Sequence, residues 1–185
     1  MDRFEVPQHT WTALYDATHG AAVLNDCKYG VSCRDGVIGL SLLRAPTYPD
    51  AQADQGSHHF RYTYRVWDGP FDAAALNAAG ERLNIPLITV KGAMRLSSLL
   101  AVDDGAIVTE SVKLAEDGSG DLIVRLYECA GDDRRVTLRP VFAYCAAHEC
   151  TLAEEKTAGL PSGGVLPLSF RAFEIKTLRF SRTGL

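Results

Sequence analysis

From Leu24 to Phe60 the chain reads LNDCKYGVSCRDGVIGLSLLRAPTYPDAQADQGSHHF. Two apolar runs, Tyr29 to Arg34 and Val37 to Leu43, flank Asp35-Gly36, the strongest short-range hairpin signal in the sequence. The hairpin sets the class of the fold as β. After it comes an irregular stretch from Arg44 to Gly56, broken by Pro46 and Pro49. Loops of that length in compact domains are usually functional or mobile. The whole run from Leu24 to Phe60 concentrates hydrogen-bonding side chains: Asn25, Asp26, Lys28, Tyr29, Arg44, Asp50, Asp54, Gln55 and His58. Polar loops carried on a rigid β scaffold are where binding chemistry collects.

Outward from this region the pattern stays β, with one exception. Phe4 to Trp11 alternates around Pro7 as an edge strand would. Ala21 to Leu24 is a short apolar run ended by Asn25-Asp26. His58 to Trp67 alternates over its whole length and predicts one long strand, with Phe60, Tyr62, Tyr64 and Val66 on one face and Trp67 on the other. An aromatic stripe of this period reads as core-facing. The exception is Phe71 to Leu83, where Phe71, Ala75, Leu76, Ala79 and Leu83 follow helical spacing. Pro70 and Asp72 suit its start, Asn84 and Pro86 its stop, and Gly80 weakens its middle.

Beyond Ser97 short strands are predicted at 99–102, 106–114, 121–129, 134–138, 141–145, 166–170 and 173–180. Asp117-Gly118-Ser119-Gly120 and Gly131-Asp132-Asp133 read as hairpin connections, and Glu154 to Gly164 as a loop. The expected architecture is mainly β, a β-sandwich fold with one short helix. A boundary near Lys91 to Leu96 would divide it into residues 1–95, carrying the polar loop region and the helix, and residues 96–185.

Composition excludes several classes. Net charge is −4, so there is no basic footprint for nucleic acid. No apolar run approaches the roughly 20 residues needed to span a bilayer. The N-terminus lacks the charged-then-apolar order of a secretion signal, and five cysteines form no framework. Together these point to reduced thiols in the cytoplasm, or to a chain that begins as a fragment. Cys145, His148 and Cys150 raise a zinc site, yet on a strand Cys145 and His148 would face opposite ways and no fourth ligand is evident. Asp50 and Asp54 are spaced as a carboxylate pair but read as loop aspartates rather than a catalytic dyad.

Taken in order, VLNDCKYG (23–30), LSLLRAPTYPD (40–50), Asp54-Gln55-Gly56 ahead of His58-His59-Phe60, Ile85-Pro86-Leu87, ESVKLAEDGSGDLIVRLY (110–127) and FEIKTLR (173–179) resemble the C-terminal β region of glycoside hydrolase family 38 α-mannosidases. The resemblance implies part of a large supersandwich followed by a small terminal β-sandwich. Such enzymes are retaining exo-glycosidases of terminal α-mannose that use two carboxyl groups, about 5 to 5.5 Å apart, and a zinc ion. That machinery lies in their N-terminal region, which aligns with nothing here. The resemblance therefore implies a portion that holds no zinc itself, is inactive alone and supports the catalytic N-terminal region of the same enzyme. The nine polar residues above are then candidates for the rim of a mannosyl glycan site. An alternative of another class is a free-standing carbohydrate-binding or protein-interaction module. A truncated sandwich would leave apolar faces open, which predicts self-association through Phe4, Val6, Val23 and the Phe60/Tyr62/Tyr64 face.

Overall fold

The computed structural model describes residues 4–93, 97–161 and 163–182, and the chain divides into two compact units, Met1–Thr89 and Val90–Leu185. The boundary expected between residues 95 and 96 falls outside the described residues. Among the described residues no helix is long and apolar enough to cross a membrane.

The first unit holds strands β1 (Val6–Pro7), β2 (Trp11–Tyr15), β3 (His19–Asn25), β4 (Gly30–Arg34), β5 (Val37–Ser41) and β6 (Tyr62–Asp68), then helix α1 (Ala73–Asn84). These form two antiparallel three-stranded sheets, β1-β4-β5 and β2-β3-β6. The β4–β5 hairpin turns at Asp35 and Gly36, both at positive φ (51° and 78°), as the two-residue connection requires. Helix α1 starts where Asp72 accepts a hydrogen bond from the Ala75 N–H. Its inner face buries Leu76 against Ala22 and Leu24 of β3, with Trp11, Trp67, Phe71 and Leu83 closing the cluster. Gly80 belongs to this face. A Cβ there would lie 2.3 Å from Thr10 Cγ2, so the residue that weakens the helix in isolation admits the close approach of the chain ahead of β2.

Three expectations for this unit change. The strand predicted over residues 4–11 breaks at Thr10, whose φ of 66° folds Trp11 N–H back onto the His9 carbonyl, so only Val6–Pro7 pairs along β4. The long strand begins at Tyr62 rather than His58. Tyr62 pairs with Asn25, the last residue of β3, and the Arg61 N–H goes to the Asp26 side chain instead of a neighbouring strand. The aromatic stripe is the open face. Arg65 and Trp67 turn toward the helix, while Tyr62, Tyr64 and Val66 stay 60%, 66% and 63% exposed.

The second unit comprises β7 (Leu100–Val102), β8 (Ile107–Leu114), β9 (Leu122–Glu128), β10 (Arg134–Pro140), β11 (Ala146–Cys150), β12 (Lys156–Gly159), β13 (Leu166–Phe170) and β14 (Ile175–Ser181). A three-stranded sheet, β13-β10-β7, packs on a five-stranded sheet, β12-β11-β14-β9-β8, as a β-sandwich. Between them Val124, Leu126, Val136, Leu138, Leu166, Phe170, Leu178 and Phe180 are buried. Asp117 to Gly120 is the β8–β9 hairpin. Gly131 to Asp133 is a crossover between the two sheets, since β9 and β10 do not pair. The strand predicted at 141–145 is likewise a crossing segment, in which Phe142 and Tyr144 set their rings edge-on to Phe180. Its ladder starts one residue later, at Ala146. The loop predicted from 154 contains β12, a short polar edge strand on β11 with every residue exposed.

Glu128 fastens the crossovers of this unit. Its side chain is buried, and its carboxylate accepts the N–H groups of Ala130, Gly131 and Phe173 at 2.8, 2.8 and 3.0 Å. Burial alone would raise its pKa; the backbone donors outweigh it and hold the carboxyl below the ordinary glutamate range. A depressed folded-state pKa contributes stability above the unfolded value of 4.5 that is lost as pH falls through the folded value. Glu128→Gln should cost about 2 kcal/mol at neutral pH, the worth of hydrogen bonds to a charged acceptor. That deficit should shrink toward acid, as read from urea unfolding at pH 7 and pH 3. Gly80→Val should destabilise the first unit by about 2 kcal/mol through overpacking, measured by tryptophan emission in urea.

Candidate functional site

The polar stretch of the sequence forms two arrangements, and both hang from the end of β3. Asn25 is buried; its Oδ1 accepts the Lys28 N–H at 2.6 Å and its carbonyl accepts Asn84 Nδ2 at 3.2 Å. Asp26 accepts the Arg61 N–H at 3.0 Å and the Arg61 Nε at 3.2 Å, while the same guanidinium donates to the Leu83 carbonyl. The Arg61 backbone N–H, then the Cys27 thiol, hold the Asp26 carboxyl down at about 2. The Asp26 carboxylate and the Asn25 Oδ1 thus tie the scaffold together, while the Asn25 Nδ2 is buried with no partner among the described residues. Asp50 caps its own turn by accepting the Gln52 N–H, and Gln55 reaches back to the Ala51 carbonyl.

The second arrangement is an open cleft of about 330 Å³ inside the first unit. Lys28, Tyr29, Arg44, Asp54 and His58 line it, joined by Glu5, Cys27 and Ser41. Asp54 shapes the loop. Its carboxylate accepts the Ala45 N–H at 3.0 Å and its carbonyl lies 2.8 Å from His58 Nε2, which closes the Arg44–His58 excursion on itself. The Lys28 ammonium sits 4.7 Å from the centroid of the Phe60 ring. Tyr29 stacks on His9, with centroids 5.4 Å apart and an interplanar angle of 21°.

Glu5 and Ser41 were missed at the level of sequence. Glu5 immediately precedes β1, and its carboxylate accepts both the Ser41 hydroxyl and the Arg44 guanidinium. Gly30 makes room for it: a Cβ there would lie 2.2 Å from Glu5 Oε1. Nothing in the sequence marked Glu5; Gly30, whose φ is not positive, is small because the Glu5 carboxylate takes the space its Cβ would fill. Charges in the cleft alternate, with Lys28 and Arg44 against Glu5 and Asp54. Donors and acceptors thus stand side by side with no net bias to a charged ligand, an arrangement suited to the vicinal hydroxyls of a sugar.

Among the described residues no group of three or more His, Cys, Asp or Glu side chains is placed to hold a metal ion. Cys145 directs its thiol to the Ser181 carbonyl and Cys150 its thiol to the His148 carbonyl.

Comparison with known proteins agrees in both units. Residues 1–52 match the glycosyl hydrolases family 38 C-terminal domain, and residues 106–178 match the family 38 C-terminal beta sandwich domain. The chain is 37% identical over 188 residues to human alpha-mannosidase 2C1 and 36% over 188 residues to the mouse protein, in each case over 95% of this chain and 18% of the relative. Alpha-mannosidase G of Dictyostelium discoideum is 35% identical over 96% of this chain and 17% of its own length. An alpha-mannosidase structure from Enterococcus faecalis V583 superposes with a TM-score of 0.73 at 22% identity, covering 96% of this chain and 21% of that one. The chain belongs to the C-terminal region of glycosyl hydrolase family 38. It spans about 18% of the length of the curated relatives it matches.

Proposed function

We propose that this chain is the C-terminal β portion of a zinc-dependent retaining α-mannosidase of glycan and mannose catabolism. In this reading the acid–base carboxyls and the zinc ligands belong to a catalytic region outside these residues, and the β portion supports that region. The 330 Å³ cleft contributes to the rim of the mannosyl site. One observation carries the reading: both family 38 C-terminal domains match in order, within alignments of 35–37% identity that run nearly the whole chain. Cys27, Cys33, Cys145 and Cys150 stand in no disulfide, which supports work in a reducing compartment such as the cytoplasm.

Hydrolysis of a chromogenic α-mannoside, with zinc added and full-length human alpha-mannosidase 2C1 as control, tests it. The 185-residue chain should turn over at least ~10³-fold more slowly than the control, the range lost when acid–base groups are missing. Turnover that survives repurification and disappears in Asp50→Asn or Asp54→Asn would place a catalytic site in the 44–58 loop and overturn the reading.

The open face of β6 supports self-association of the chain when it is studied alone. Phe4, Tyr62, Tyr64 and Val66 are exposed, whereas Val23 and Phe60 are only half-buried contributors. Sedimentation should show a mass that rises with concentration in the wild type and returns toward the monomer in a Tyr62→Ser/Tyr64→Ser double variant. A monomer at every concentration would count against it.

A further inference from the structure

The Tyr29 ring is built differently from the other polar-tipped residues of the cleft. It is 57% exposed although it stands beside the β1–β4 pairing. Its own carbonyl accepts the Gln8 N–H at 2.8 Å, and the adjacent Lys28 carbonyl accepts from the Gln8 side chain, so the backbone beneath the ring is pinned. His9 covers one face of the ring. The ring lines the cleft with more than half of the residue's surface open. An aromatic ring stacked on one neighbour and open to a cleft can contribute to binding through its apolar face.

What would lie on that plane follows from its surroundings. The rim carries balanced charges, which disfavours an ion and suits a neutral polyol. The volume stands at the small end of ligand sites, roughly 300 to 1,000 Å³, and so fits a single sugar ring rather than a long glycan. A pyranose has one face of C–H bonds and an equator of hydroxyls. The C–H face meets the electron-rich face of a tyrosine, while the equatorial hydroxyls meet guanidinium, ammonium and carboxylate groups.

We infer that Tyr29 is a stacking platform for one neutral hexopyranose unit, that His9 is the positioning residue holding its ring, and that this binding belongs to the chain by itself. The choice of mannose as ligand rests on the α-mannosidase reading; the platform does not.

The test is a titration of the intact 185-residue chain with methyl α-mannopyranoside, followed by the ring-proton resonances of Tyr29 and His9. Both sets should shift and saturate together, with a Kd on the order of 1 mM for a ligand of this size. Tyr29→Phe keeps the plane and should stay within about threefold of wild type, whereas Tyr29→Ala should weaken binding at least tenfold. His9→Phe should preserve affinity and His9→Ala should lose most of it, a pattern of rescue that a merely structural histidine would not give. Glycerol, a polyol with no ring face, should leave the resonances in place. Absence of shifts at ~50 mM ligand, well above that Kd, equal binding by Tyr29→Ala, or an equal response to glycerol would each overturn the inference. None of these results bears on hydrolysis by a full-length relative, so the two readings fail separately.

Discussion

The corner at Asn25-Asp26 is the constraint on which the first unit depends. β3 ends there, and four other elements are tied to that end. The Asn25 N–H donates to the Thr10 carbonyl at the approach to β2, its carbonyl receives Asn84 from the end of α1, and its side chain closes the turn into Lys28. Asp26 draws in Arg61 at the start of β6 and, through the same guanidinium, the last turn of the helix. Sheet, helix and cleft therefore share one hydrogen-bonded knot. Its carboxylate stays ionised far below neutral pH because its ligands are donors to the charged form. The residues that display Lys28 and Tyr29 to the cleft are thus set by groups that never touch it.

The second unit solves the same problem with different chemistry. Its crossovers carry backbone N–H groups away from any ladder, and one buried carboxylate, Glu128, collects them. At the β8–β9 hairpin, buried Arg179 reaches Asp121 and Asp117 at 2.7 Å each, and the Ser119 hydroxyl at 2.9 Å. A charge taken out of water this way is tolerable only because its donors are met. Arg179 and Asp117 also border an open cleft of about 620 Å³, beside Glu116, Glu154 and Lys156.

What the sequence made legible was local. Asp35-Gly36 forces its hairpin by positive φ, Asp72 caps its helix, and Leu166 to Phe170 alternates buried and exposed over its full length. What stayed hidden depends on the neighbour an element finds. Tyr62, Tyr64 and Val66 have the pattern of a core stripe, but apolarity says only that a face can be covered, not which one the helix chooses. In Val141 to Cys145 only Phe142 and Tyr144 turn inward, onto Phe180, so its alternation mimics a strand, and β12 carries no apolar signal because an edge strand needs none. For the cleft, the concentration of polar groups between residues 24 and 60 was visible. Glu5 was not, since one acidic residue beside an edge strand looks like solvent-facing charge until Gly30 opens a place for it.

The position of the two tryptophans has an optical consequence. Trp11 and Trp67 are the only ones in the chain, and both pack on Phe71 in the first unit. The second unit contributes tyrosine and phenylalanine alone, in its core around Phe180. Emission excited at the red edge of the indole band therefore watches one half of the polypeptide, while the far-ultraviolet dichroism of the larger sheets is weighted to the other. Any gap between the two signals during denaturation would measure, without a label or a mutation, how far the halves melt as separate bodies.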